Sequence, residues 1–158
     1  MKAKIYMFIF LFSTGMATIL ACQNNDTFNM PDPQDGEQSC RNIVINESLY
    51  DTAPRDNFII KDAIIKHDSL IIMVQYGGGC GTTSFNLITE GYFMESNPVQ
   101  LDILLSFEDE DLCEAAIQEQ ICFDMTKLAT LYKDSYLANQ GTIILRLQGY
   151  PDSLEYIF

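Results

Sequence analysis

From residue 42 to the C-terminus, apolar side chains recur at every second position in one short run after another. Period-two alternation is the mark of strands with one face turned to a core, and it excludes a helical bundle. NIVIN at 42–46 sets Ile43 and Ile45 on one face. FIIKDAIIKHDSLIIMVQY at 58–76 is two such runs about His67-Asp68-Ser69, a predicted hairpin. TSFNLITEGYF at 83–93 alternates, and VQLDILLSF at 99–107 resumes after the turn signal Ser96-Asn97-Pro98. In CEAAIQEQICF at 113–123, Cys113, Ala115, Ile117, Ile121 and Phe123 share one face, so this too reads as a strand. Leu128, Leu131, Tyr132 and Tyr136 change to helical spacing, with Gly141 as the stop, so one short helix or crossover falls near 125–138. TIILRLQGY at 142–150 and SLEYIF at 153–158 end the chain as strands. The expected fold is all-β: an antiparallel β-sandwich of immunoglobulin-like size with seven or eight strands, a small barrel being the alternative.

The N-terminus assigns a compartment. Lys2 and Lys4 precede an apolar core too short for a membrane span, as in a secretory signal. Ile19-Leu20-Ala21-Cys22 resembles a bacterial lipobox, although Leu20 is a less usual second residue. The resemblance implies a signal peptide over 1–21 and acylation (palmitate) at Cys22, giving attachment to a membrane by several acyl chains. An ordinary signal peptide beside a free cysteine is the other reading. Residues 23–38, QNNDTFNMPDPQDGEQ, hold two isolated large apolar side chains. Too little surface can be buried there to offset ordering, so 22–39 reads as the lipidated cysteine with a flexible acidic tether. Residues 40–158 then form one domain.

Charge narrows the partners. The chain has nine Lys and Arg, two of them in the signal, and 22 Asp and Glu, so the processed protein carries a formal charge of −15. The remaining cations are scattered, which excludes the clustered basic surface that nucleic acid requires. An envelope protein or a glycan is the kind of partner left open.

Four cysteines remain beyond Cys22: Cys40, Cys80, Cys113 and Cys122. In an oxidising compartment an even count favours two disulfides with three possible connectivities. If consecutive strands alternate in direction, Cys80 and Cys113 fall at one end of the domain and Cys40 and Cys122 at the other. That parity pairs Cys80 with Cys113 and Cys40 with Cys122. Cys80 sits in QYGGGCGTT, where a reactive thiol on a glycine loop is the rival reading. No cationic group lies within ten residues to lower its pKa, and the glycines suit a bulge that turns Cys80 toward a partner.

The segment Asp68–Cys80 with its Tyr76-Gly77-Gly78-Gly79-Cys80 ending, then Phe85 and Leu87, Pro98, Asp111-Leu112-Cys113-Glu114-Ala115 and Phe123-Asp124, resembles a group of small Bacteroidota lipoproteins of unknown function. The likeness covers most of 68–124. It implies an outer-membrane lipoprotein setting and no known activity. Where that group often has His three residues after the cysteine, this chain has Thr83.

Other candidate sites are weaker. Glu108, Asp109, Glu110 and Asp111 could hold Ca²⁺, but lack the glycine-punctuated spacing of a calcium loop, and a solvated loop tip is the competing reading. His67, the only histidine, reads as an exposed turn residue. Tyr76, Tyr92 and Tyr150 could form a carbohydrate platform. No nucleotide loop, Cys/His metal set or cofactor motif is present, and no cofactor is expected. The reading that results is a lipid-anchored, non-enzymatic binding or accessory module of the cell envelope. The alternative is an envelope enzyme using the Cys80 thiol or a carboxylate pair.

Overall fold

The computed structural model describes residues 39–158; the expected signal peptide, Cys22 and the expected tether up to residue 38 lie outside the described residues. Nine strands and two short helices follow one another as β1 (Arg41–Asn42), β2 (Val44–Ile45), α1 (Glu47–Thr52), β3 (Phe58–Lys66), β4 (Ser69–Gly78), β5 (Thr83–Thr89), β6 (Val99–Asp109), β7 (Ala115–Asp124), α2 (Thr126–Tyr136), β8 (Thr142–Leu147) and β9 (Leu154–Ile157). They make a four-stranded sheet in the order β1-β7-β4-β3 and a five-stranded sheet in the order β2-β5-β6-β8-β9. Neither sheet closes into a barrel. Among the described residues no helix is long and apolar enough to cross a membrane.

Both sheets turn alternate side chains into one apolar cluster. Leu70, Ile72 and Val74 of β4 and Ile121 and Phe123 of β7 meet Phe85, Leu87, Leu101, Ile103, Leu105 and Phe107 of β5 and β6 there. At one end, called upper here, Phe85 and Phe107 stack at 4.2 Å. Tyr76 and Phe58 pack on Phe107 at 5.0 and 5.7 Å between centroids. At the lower end the Tyr156 hydroxyl donates to Asp68 at 2.7 Å. Each side chain buried in this way stabilises the fold by roughly 1.5–3 kcal/mol.

The hairpin is where the alternation places it, with His67 and Asp68 between the paired residues Lys66 and Ser69. His67 is exposed and takes φ 53°, as a tight turn demands. The helix also lies where its spacing puts it. Its start is fixed by the Asp124 carboxylate, which accepts from Thr126 N at 2.8 Å. It stops at Leu137, which adopts the left-handed conformation, four residues before the glycine expected to end it.

Three expectations are corrected. The sheets are mixed, not antiparallel: β1 runs parallel to β7, β2 to β5 and β6 to β8. Successive strands from β3 onward do reverse direction, but β7 lies in the other sheet, so β6 and β8 become neighbours with the same sense. The count is nine strands, because the run at 42–46 is split. Asn42 ends β1 in one sheet, Val44 begins β2 in the other, and Ile43 is fully buried between them. Ile45 is 37% exposed, so Ile43 and Ile45 do not share a face. The third is α1, a helix absent from the sequence reading. The Asn46 side chain caps it, accepting from Leu49 N at 2.9 Å. With Ala53 and Tyr50 it covers Ile88 and Leu104 on the outer face of the five-stranded sheet.

Candidate functional site

The upper end gathers the glycine loop after β4 and the acidic loop after β6. Cys80 and Cys113 are bonded across it, with Cα atoms 5.9 Å apart. Asp111 organises this loop pair. One carboxylate oxygen accepts from Gly79 N at 2.6 Å and Cys80 N at 2.9 Å, and the other from Cys113 N at 2.8 Å. The Cys113 N–H first, then those of Gly81, Cys80 and Gly79, hold the Asp111 carboxyl down at about 2, from an ordinary value of 3.8. Backbone donors favour the ionised form in this way.

The glycines serve that geometry. Gly79 has φ 118°, a conformation only glycine adopts readily. At Gly81 a Cβ would stand 2.7 Å from Asp111 Cα, so the close approach of the two loops requires glycine. Asp111 was legible only as one acid among four. A better signal was its place two residues before Cys113, since aspartate commonly accepts from the N–H two positions on.

The second bond joins Cys40 to Cys122, with Cα atoms 4.7 Å apart. Both pairs are those given by strand parity, but the reason differs for Cys40. Strand β1 runs with β7, and its register sets Arg41 beside Phe123. Cys40 therefore stands next to Cys122 as a parallel neighbour, at the lower end.

The other candidates are dispersed. The hydroxyl of Ser84 donates to Glu108 at 3.4 Å and that of Thr82 to Glu110 at 3.1 Å, while Asp109 accepts from Asp111 N at 2.8 Å. The four carboxylates do not converge on one point. Among the described residues the group that brings metal-ligating atoms together is Cys80, Asp111 and Cys113, within 4.8 Å. Its two sulfurs are bonded to each other and its carboxylate is held by backbone N–H groups. The tyrosines form no platform: Tyr76 is in the core wall and donates to Glu119 at 2.9 Å, Tyr92 donates to Glu47, and Tyr150 to Asp62. A polar cleft of about 320 Å³ lies between α1 and the β8–β9 turn, lined by Tyr50, Gln148 and Asp152 and by the Arg146–Asp102 ion pair at 3.2 Å.

The class so defined is a small two-sheet β domain whose loops are stapled at both ends. No family model matches the sequence, and no curated protein matches it. Solved structures do. A NigD-like immunity protein from Bacteroides caccae superposes with a TM-score of 0.56 at 12% identity, over 73% of this chain and 57% of that one. A protein of unknown function, DUF1344, from Bacteroides vulgatus gives 0.46 at 13% identity, over 75% and 55%. A candidate lipoprotein from Bacteroides fragilis gives 0.47 at 12% identity, over 75% and 67%. This chain thus spans a little over half the length of the first two. The likeness is one of fold.

Proposed function

We propose that the protein is a lipid-anchored, non-enzymatic binding or accessory module of the outer membrane, acylated at Cys22, with residues 22–39 as its tether and 40–158 as a β-sandwich of immunoglobulin-like size. The observation that supports binding over catalysis is the state of its most chemical-looking motif. The Cys80 sulfur is shared with Cys113, and the one carboxylate beside it is spent on backbone N–H groups. Both are groups a thiol enzyme would need free. An immunity role, the description given to one neighbour in fold, is one form this reading can take.

The test has two arms. Cys22→Ser should abolish incorporation of an alkyne-tagged fatty acid and release the protein from the membrane fraction; unchanged labelling would overturn the anchor. Iodoacetamide applied to unreduced native protein should alkylate no peptide carrying Cys80 or Cys113. A Cys80 peptide alkylated without reduction would overturn the binding reading in favour of a thiol enzyme.

A further inference from the structure

Two strand edges stand open on one side of the domain. β1 pairs with β7 only at Phe123 and Asp124, and β2 with β5 only at Ile88 and Thr89. Among the described residues, Ala115–Ile121 of β7 and Thr83–Asn86 of β5 therefore have no strand on their outer side. Arg41, on β1, links the two edges by donating to Phe85 O at 3.0 Å. Alternation assigns the free groups. The Asp124 carbonyl faces β1, where it accepts from Ile43 N at 3.4 Å. Peptide groups alternate along a strand, so Ala116, Gln118 and Gln120 also turn N–H and C=O to the open side. The residues between them bond to β4.

Open edges are ordinarily guarded by charge, bulges, proline or shortness. β3, at the far edge of the same sheet, carries Lys61 and Lys66 and a register shift between Ile60 and Asp62. β9, at the edge of the other sheet, has four residues. The open stretch of β7 has no lysine or proline and no shift in its register with β4. Its one charged side chain, Glu119, is turned to the core side and tied to Tyr76. The two disulfides bracket this stretch, Cys80–Cys113 above and Cys40–Cys122 below, and hold it in shape without a neighbour.

Apart from Arg41, the charge beside it has one sign. Residues 67–126, which include β4 to β7, contain eleven Asp and Glu and no Lys or Arg. Glu110 stands at Thr82, just before β5, and Glu114 precedes β7. We infer that the open edge of β7 takes an extended segment of a basic partner protein as an added strand. Main-chain hydrogen bonds at Gln118 and Gln120 hold the segment, and its Lys or Arg side chains meet Glu110 and Glu114. Strand addition of this kind draws affinity from main-chain bonds and selectivity from side chains. The inference rests on the reading of the protein as a binding module and names that module's partner class.

The test uses the full mature chain, unacylated, and two fluorescent peptides of about ten residues, one alternating valine with lysine and one alternating valine with glutamate. The valine–lysine peptide should bind and slow amide exchange at Gln118 and Gln120, and the valine–glutamate peptide should bind about tenfold more weakly or not at all. Gln120→Pro removes an outward N–H that β4 does not use, and should weaken binding about tenfold while melting stays within a few degrees. Because proline can disturb the strand, the double variant Glu110→Gln, Glu114→Gln is measured beside it; it should bind weakly and lose sensitivity to salt. Equal binding of both peptides, no binding of either, or unslowed exchange over 116–122 would overturn the inference. So would amides of Gln118 and Gln120 already slow in the free protein, or a stable dimer, which would assign the edge to this chain or to a second copy. Valine–lysine binding that protects a different surface would overturn the edge and leave the binding module standing. An alkylated Cys80 peptide would remove the module whatever the peptides do.

Discussion

Asp111 joins the two upper loops with a single carboxylate, and its ionisation should be read in the amides it holds. Its carboxyl is lowered in the fold, to about 2 from 3.8. A group lowered in this way stabilises the folded state above its ordinary value and loses that contribution as pH falls through the lowered one. The loop contacts should therefore be constant at neutral pH and weaken between 3.8 and about 2. The amide shifts of Cys80 and Cys113 should titrate with a midpoint near the lower figure; a midpoint at the ordinary carboxylate value would refute the assignment. Asp111→Ala should speed amide exchange at Gly79 and Cys80 and lower the melting temperature, whereas a merely solvated acid would leave both unchanged. The bond beside it has a larger effect. Cys80 and Cys113 are 33 positions apart, and losing the bond by Cys80→Ala should cost about 3.5–4 kcal/mol in the chain-entropy picture, measured from the urea midpoint. The cysteine pairs were legible because they depend only on which end of the domain each residue reaches. The role of Asp111 was legible only in its place two residues before Cys113, because an acid among acids otherwise carries no pattern that separates an internal acceptor from a solvated tip.

The elements divide the same way. Each run from β3 through β9 is found in the stretch the sequence gives it, although those read over 83–93 and 142–150 end at Thr89 and Leu147. β1 and β2 have two residues each, too few to display a period. Their partners are set instead by the crossing at Ile43, whose side chain is buried between the sheets. α1 has six residues and no apolar stripe of its own, so its cap at Asn46 was the only local signal. The end of α2 was misread because the left-handed position is taken by Leu137, not by a glycine. Leu137 has φ 53° and is 94% exposed, so its side chain gives strain and little packing. Leu137→Gly should raise stability by about 0.5–1 kcal/mol, visible as a higher urea midpoint with unchanged slope. Asn46→Ala should act the opposite way, at a cost of about 1 kcal/mol.

For the whole molecule, charge and covalent links work against each other. Residues 39–158 carry eighteen Asp and Glu against seven Lys and Arg. Self-repulsion of that kind is screened by salt, so the melting temperature should rise from low to physiological ionic strength, as followed by calorimetry. A fall would mean that attractive pairs outweigh repulsion. The lower bridge has a consequence of another kind. A pull on the chain from its N-terminal side enters the described residues just before Cys40. Without the bond to Cys122, such a load would peel away β1, two residues at a time. With it, the load passes through sulfur into β7, which is registered to β4 over ten consecutive pairs. Peeling becomes shear across a whole sheet, and reducing the bridge should lower the force at which single molecules yield.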